Sequence, residues 1–219
     1  MNIGSKMMSM ISLLSPQAVV YAFDMVGVVA CSVSGTILAR SKHFDPLGCI
    51  LVAMVTAIGG GTVRDLMLAR HPLFWMIDMN YLLVITVTSL LFQVFFDISK
   101  RIDKMLQLSD AIGLAAFTLI GIKVASSMGA NPLIATLMGI TTIIVGGMIR
   151  DIICNEIPLV LRREIYIVAA MVGAMVYFSL LPVMMSGWLR EILTMLTIFC
   201  VRMLALHFDW HLPALQRHI

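Results

Sequence analysis

Ile58-Gly59-Gly60-Gly61-Thr62-Val63-Arg64-Asp65 returns, 86 residues later, as Ile144-Val145-Gly146-Gly147-Met148-Ile149-Arg150-Asp151. The same spacing carries Asp24 onto Asp110, Gly27 onto Gly113, Gly35 onto Gly121, Pro46 onto Pro132 and Pro72 onto Pro158 without a gap. Apolar composition alone would align Leu, Ile and Val. It does not bring two glycine pairs, two prolines and several charged residues into one register, so the chain contains an internal duplication.

Around these motifs the 219 residues are 60% apolar and 12% charged, with a mean hydropathy of +1.00. Ordinary soluble domains carry roughly 25% charged residues, so half of the usual polar coat is missing and lipid is the natural solvent. The net charge of +3 comes from scattered basic residues, which argues against nucleic acid as a partner. Cys31, Cys49, Cys154 and Cys200 lie in apolar stretches without ligand spacing and read as small hydrophobes, neither disulfides nor a metal site. The segment from Lys6 to Leu14 lacks a cleavage site and is interrupted by Pro16, so it is expected to stay attached.

A membrane span needs about 20 mainly apolar residues. With prolines and charges as boundaries, seven are expected in a single all-α membrane domain covering 1–219: about 18–39, 46–68, 73–97, 109–126, 132–154, 162–182 and 186–207. Repeat 1 covers about 18–97 and repeat 2 about 109–182. The seventh helix carries Arg190, Glu191 and Arg202 and lies outside the repeat as a peripheral element. Three spans per repeat make the second copy enter from the opposite face, so the repeats are inverted, an arrangement that places transported species near the midplane.

Basic residues orient the bundle. Arg40, Lys42, Lys100, Arg101, Lys104, Arg162, Arg163, Arg202 and Arg217 collect on one side, with Arg150 beside them. Lys6, Arg64, Arg70, Lys123 and Arg190 fall on the other. This bias puts the N-terminus outside and the C-terminus in the cytoplasm.

Glycine runs inside spans two and five either kink the helix and free backbone groups, or permit close helix contact. Ionisable residues inside a span are costly unless they face the protein interior and find partners. Arg64 and Asp65 are about 100° apart on a helix, as are Arg150 and Asp151, which predicts pairing across the repeats: Arg64 with Asp151 and Arg150 with Asp65. The other reading puts both pairs at helix ends, snorkelling to the headgroups. Asp24 and Asp110, early in spans one and four, either complement the helix dipole or attract cations. Lys123, whose repeat counterpart is Ile37, either gates a path or reaches the interface. Asp78 and Asp97 are interfacial, and His207 and His211 flank Trp210 as an aromatic anchor rather than a metal pair. Nineteen methionines serve as flexible packing. There is no catalytic constellation, P-loop or dinucleotide motif, and no organic cofactor is implied.

The duplicated motifs GGGTVRD and GGMIRD on three-plus-three inverted spans with one extra helix resemble the bacterial and archaeal members of the TRIC (trimeric intracellular cation) channel family, also described as a glycine transporter domain. The resemblance covers most of the chain. It implies a homotrimer with one pore per subunit, passing monovalent cations (sodium and chiefly potassium) and lined by kinked helices two and five. It carries pathway roles onto Gly59, Gly60, Gly61, Thr62, Arg64, Asp65, Gly146, Gly147, Arg150 and Asp151, with Asp24, Asp110 and Lys123 in ion attraction or gating. Val145 stands where the first motif has Gly59, so its kink is expected to be milder. Taken alone, the residues suit a carrier slightly better: an arginine for the carboxylate and an aspartate for the ammonium of a small zwitterion such as glycine. The resemblance shifts the weight to a channel, which requires each arginine to be neutralised by a carboxylate.

Overall fold

The computed structural model describes residues 16–96, 102–162, 165–183 and 187–210. Lys6 with the segment after it, Asp97, Lys100, Arg101, Arg163, His211 and Arg217 lie outside the described residues. Among the described residues the structure is all helical: α1 (Pro16–Ser41), α2 (Pro46–Met67), α3 (Phe74–Ile77), α4 (Asn80–Phe95), α5 (Ile102–Ser127), α6 (Pro132–Ile153), α7 (Leu159–Arg162), α8 (Ile165–Ser179) and α9 (Gly187–His207).

Four of these, α1, α2, α5 and α6, are long and apolar enough to cross a membrane. The stretch expected as the third span divides into a single helical turn, α3, and a shorter apolar helix, α4; the stretch expected as the sixth, about 162–182, holds the shorter apolar helix α8, with the turn α7 almost wholly before it. Helix α9 has the length of a span, and its Arg190, Glu191 and Arg202 keep it less apolar than the four.

The local causes of these elements repeat at the 86-residue spacing. Asp45 caps α2 by accepting from the Gly48 N–H at 2.6 Å, and Asn131 caps α6 by accepting from the Ile134 N–H at 2.9 Å; a proline follows each cap at the first helical position. At the far ends, Ala69 and Asn155 take positive φ of 51° and 53°. The N–H groups of Arg70 and Glu156 then return to the carbonyls of Asp65 and Asp151, each at 2.8 Å. These bonds satisfy orphan carbonyls that lipid could not solvate.

Helices α1, α2, α5 and α6 form the centre, with α4 against α1 and α2, and α8 against α5 and α6. Small residues set their spacing. A Cβ on Gly60 would lie 1.7 Å from the Thr142 carbonyl oxygen, and one on Gly146 would lie 2.5 Å from that of Thr56. Gly35 and Gly121 likewise receive the hydroxyls of Thr56 and Thr142, each at 2.8 Å from the absent Cβ. Both α2 and α6 run as continuous helices through their glycines, whose visible role is this close crossing. Leu47, Leu51, Leu83, Val94, Leu133, Ile152 and Met175 turn outward as an apolar belt, while Val28, Cys31, Ala53, Ala57, Leu114 and Ile143 fill the centre. Helix α9 packs on α8 and α5, with Ile198 pressed over Gly173.

Candidate functional site

Each Arg-Asp motif sits in the last turns of its helix, so its side chains are held where α2 or α6 meets the following turn. Arg64 Nη2 lies 2.7 Å from Asp65 Oδ1, and its Nε donates to the same oxygen at 2.8 Å. Arg150 Nε donates to Asp151 Oδ1 at 2.8 Å. The expected cross-repeat pairs, Arg64 with Asp151 and Arg150 with Asp65, do not form. Adjacent helical residues diverge at Cβ, but the long arginine stem folds back and brings the guanidinium to its neighbour's carboxylate. Snorkelling is also excluded, because Arg64 and Arg150 are 3% and 1% exposed and their aspartates are buried.

Beyond this shared pair the halves diverge. Arg150 Nη1 donates to Asp110 on α5 at 3.0 Å and also to the hydroxyl of Ser34 on α1, so three helices hold one guanidinium. Asp151 Oδ2 accepts the N–H of Leu159, the first residue of α7, at 2.9 Å. Arg64 instead lies over the Phe74 ring at 5.6 Å, and Arg70 approaches Asp65 at 3.7 Å. Asp24, the counterpart of Asp110, accepts a hydrogen bond of 2.5 Å from the Tyr81 hydroxyl. Asp65 Oδ2, Asp110 Oδ2 and Arg150 Nη2 are buried without a hydrogen-bond partner among the described residues.

Two charged cavities approach these motifs. The first, about 390 Å³, is lined by Val20, Tyr21, Asp24, Arg64, Arg70, Tyr81, Ile120, Lys123 and Val124. The second, about 340 Å³, is lined by Leu38, Lys42, Asp103, Leu106, Gln107, Asp151 and Glu156. They are built from repeat-related positions: Val20 with Leu106, Tyr21 with Gln107, Arg70 with Glu156, and Val124 with Leu38. Asp24 and Arg64 line the first cavity, whereas Asp110 and Arg150 are shut into a separate space of about 10 Å³, room for about one water molecule. A larger cavity of about 490 Å³ lies between α1 and α5. Its walls, including Met25, Val29, Met105 and Ile112, are almost wholly apolar and offer nothing to an ion or a zwitterion.

Lys123 pairs with Glu191 of α9, a buried carboxylate, and does not reach free to the interface. Thr62 accepts from Trp75 Nε1 at 3.0 Å and donates to the Ile58 carbonyl. Asp78 accepts from the Tyr21 hydroxyl at 2.7 Å. Gly59 and Gly147 face side chains at ordinary contact distance rather than backbone, unlike Gly60 and Gly146. Arg202, counted in the sequence among the basic residues of the cytoplasmic side, is buried with its guanidinium over the Tyr166 ring at 4.8 Å. Sequence reasoning missed Ser34, Arg70, Tyr81 and Glu191. Of these only Glu191 carried a signal, as an acid inside an otherwise apolar helix.

This bundle and its buried charges define a polytopic membrane protein built by duplication. The family profile described as "Glycine transporter" matches twice, at residues 21–97 and 107–182, again starting 86 residues apart. The chain is 40% identical over 199 residues to the UPF0126 inner membrane protein YadS of Escherichia coli K12, covering 88% of this chain and 93% of that one. It superposes on the TRIC trimeric intracellular cation channel orthologue from Rhodobacter sphaeroides with a TM-score of 0.83 at 34% identity, covering 88% of this chain and 99% of that one. A second TRIC cation channel, solved to explain its conductance, gives 0.79 at 35% identity over 90% and 98%. The chain belongs to the TRIC family, which carries the glycine transporter description.

Proposed function

We propose that the protein is a monovalent cation channel, chiefly for potassium and also passing sodium, with one path through each subunit of a homotrimer in the bacterial inner membrane. The observation that carries this reading is the pair of repeat-related charged cavities, one reaching Arg64 in the last turn of α2 and the other Asp151 in the last turn of α6. The likeness to TRIC cation channels at 34% and 35% identity supports it. Seven spans, with the two three-span repeats inverted and α9 as the extra helix, make the two cavities open toward opposite faces. The basic-residue bias assigns the Asp24 cavity to the outside and the Lys42 cavity to the cytoplasm, with the N-terminus outside.

A bare guanidinium in a narrow path would repel potassium. Here Asp65 neutralises Arg64, and Asp110 with Asp151 neutralises Arg150. Asp24 keeps a carboxylate on the wall of its cavity and attracts the cation. Lys123 is held to the wall by Glu191. Helices α2 and α6 line the narrowest part, Thr62 and Gly147 contributing beside the motifs, and the glycines allow the helices to bend as the path widens.

The test is potassium efflux from liposomes containing the purified full chain, beside uptake of labelled glycine. Potassium flux that does not saturate at low millimolar concentration, without glycine uptake, supports the channel. Saturable glycine uptake without potassium flux overturns it in favour of a carrier.

A further inference from the structure

We infer that the two halves of this structure hold one ion-pair gate in two positions, shut around Arg150 and open around Arg64, and that Ser34 is the positioning residue that keeps the shut half shut. This rests on reading the two charged cavities as the ends of one path.

The comparison is internal to the molecule. At the 86-residue spacing, Arg64, Asp65 and Asp24 correspond to Arg150, Asp151 and Asp110. Both arginines bond the aspartate next to them. Only Arg150 also bonds the aspartate of the facing helix, and that half encloses about 10 Å³ around its guanidinium. Arg64 leaves Asp24 to Tyr81, and there the arginine and the facing aspartate both line a cavity of about 390 Å³. One ion pair thus separates an arginine shut off from the cavity of about 340 Å³ that reaches its own Asp151 from an arginine that lines its cavity.

The residues that differ between the halves account for the choice. Ser34 of α1 donates no bond to Asp110; its hydroxyl sits on Arg150 Nη1 and holds the guanidinium toward the α1–α5 side. The residue that the repeat places in the equivalent position beside Arg64 is Ile120 of α5, which lines the Asp24 cavity and has no polar atom to offer. Tyr81, which occupies Asp24, corresponds to Ile167, which has no hydroxyl with which to compete for Asp110. Each arginine has two carboxylates within its repeat, and the hydroxyl beside it or beside its facing aspartate decides whether it spans both. Opening the Arg150 half means withdrawing its guanidinium onto Asp151 alone, the arrangement Arg64 already shows.

The experiment gives Ile120 the hydroxyl and removes it from Ser34, in full-length protein in liposomes, on a background with the exposed Cys200 replaced by serine. Ile120→Ser is read against Ile120→Ala, which removes the same bulk without adding a hydroxyl. Two readouts are taken: potassium flux, and the rate at which a water-soluble thiol reagent modifies a cysteine at Val124 for the Ile120 variants or at Met148 for Ser34→Ala. Ile120→Ser is expected to lower both flux and Val124→Cys labelling relative to Ile120→Ala. Ser34→Ala is expected to raise flux and Met148→Cys labelling about tenfold, the change one hydrogen bond to a charged group makes in a two-state equilibrium. Ile120→Ser indistinguishable from Ile120→Ala, or Ser34→Ala labelling at the parent rate, overturns the inference. Absence of potassium flux in every protein overturns the channel reading instead, and the labelling rates still decide the gate.

Discussion

The carbonyl oxygen of Thr142 stands 1.7 Å from the point where a Cβ on Gly60 would sit, so α2 and α6 cross backbone to backbone. No rotamer change relieves such a clash, because the obstructing atom belongs to a helix main chain. Gly60→Ala is expected to lower the melting temperature in detergent sharply, by more than the about 1–3 kcal/mol of ordinary overpacking. Gly146→Ala, with 2.5 Å to the Thr56 carbonyl, follows the same direction. Gly59→Ala and Gly147→Ala meet side-chain atoms at 3.5 and 3.7 Å and are expected to be neutral or slightly stabilising, since alanine is the better helix former. Equal losses at all four positions would mean that the crossing does not set the glycine requirement.

Arg150 neutralises two buried carboxylates, so Arg150→Ala strands both Asp110 and Asp151. Loss of one partner from a buried pair costs about 3–5 kcal/mol, and this substitution is expected to reach that range. Arg64→Ala is expected to cost less, because Arg70 remains 3.7 Å from Asp65 and Asp24 keeps its bond to Tyr81. Thermal unfolding of the two variants in the same detergent checks the order.

Lys123 and Glu191 join the duplicated bundle to α9. Glu191→Gln leaves the ammonium of Lys123 uncompensated on the wall of the Asp24 cavity, so potassium flux is expected to fall. Lys123→Met with Glu191→Leu removes both charges, and flux is expected to return to or above the wild-type level. Flux in the double variant as low as in Glu191→Gln would show that the charge on Lys123 is not what the cation meets.

Asp24→Asn is expected to reduce potassium flux most at low ionic strength, with the difference shrinking as salt rises. The Debye length shortens from about 30 Å at 0.01 M to about 10 Å at 0.1 M, and attraction by a cavity-wall carboxylate weakens with it. Flux measured across a salt series distinguishes this from a structural defect, which salt would not repair.

Much of this architecture was legible because glycine, proline, arginine and aspartate are rare enough in a lipid-facing chain for their coincidence to report duplication. Pro46 and Pro132 follow from that register directly, while the caps Asp45 and Asn131 before them were found in the structure. The ion pairs were misread because a helical-wheel argument treats adjacent residues as divergent, and this holds for Cβ but not for the end of an arginine side chain. The gate residues were hidden for a different reason. Identity at the 86-residue spacing announced the repeat, whereas Ser34 and Tyr81 matter through the Ile120 and Ile167 that replace them. The charges of the seventh helix were read only as marking a peripheral element; Glu191 is the buried partner of Lys123.

The most direct measurement is current through the purified protein in a planar bilayer separating unequal potassium chloride solutions. Discrete openings are expected, with a reversal potential close to the potassium equilibrium potential and unmoved by millimolar glycine. A silent bilayer from protein that takes up glycine saturably in liposomes, or a reversal potential at the chloride value, would contradict the channel reading.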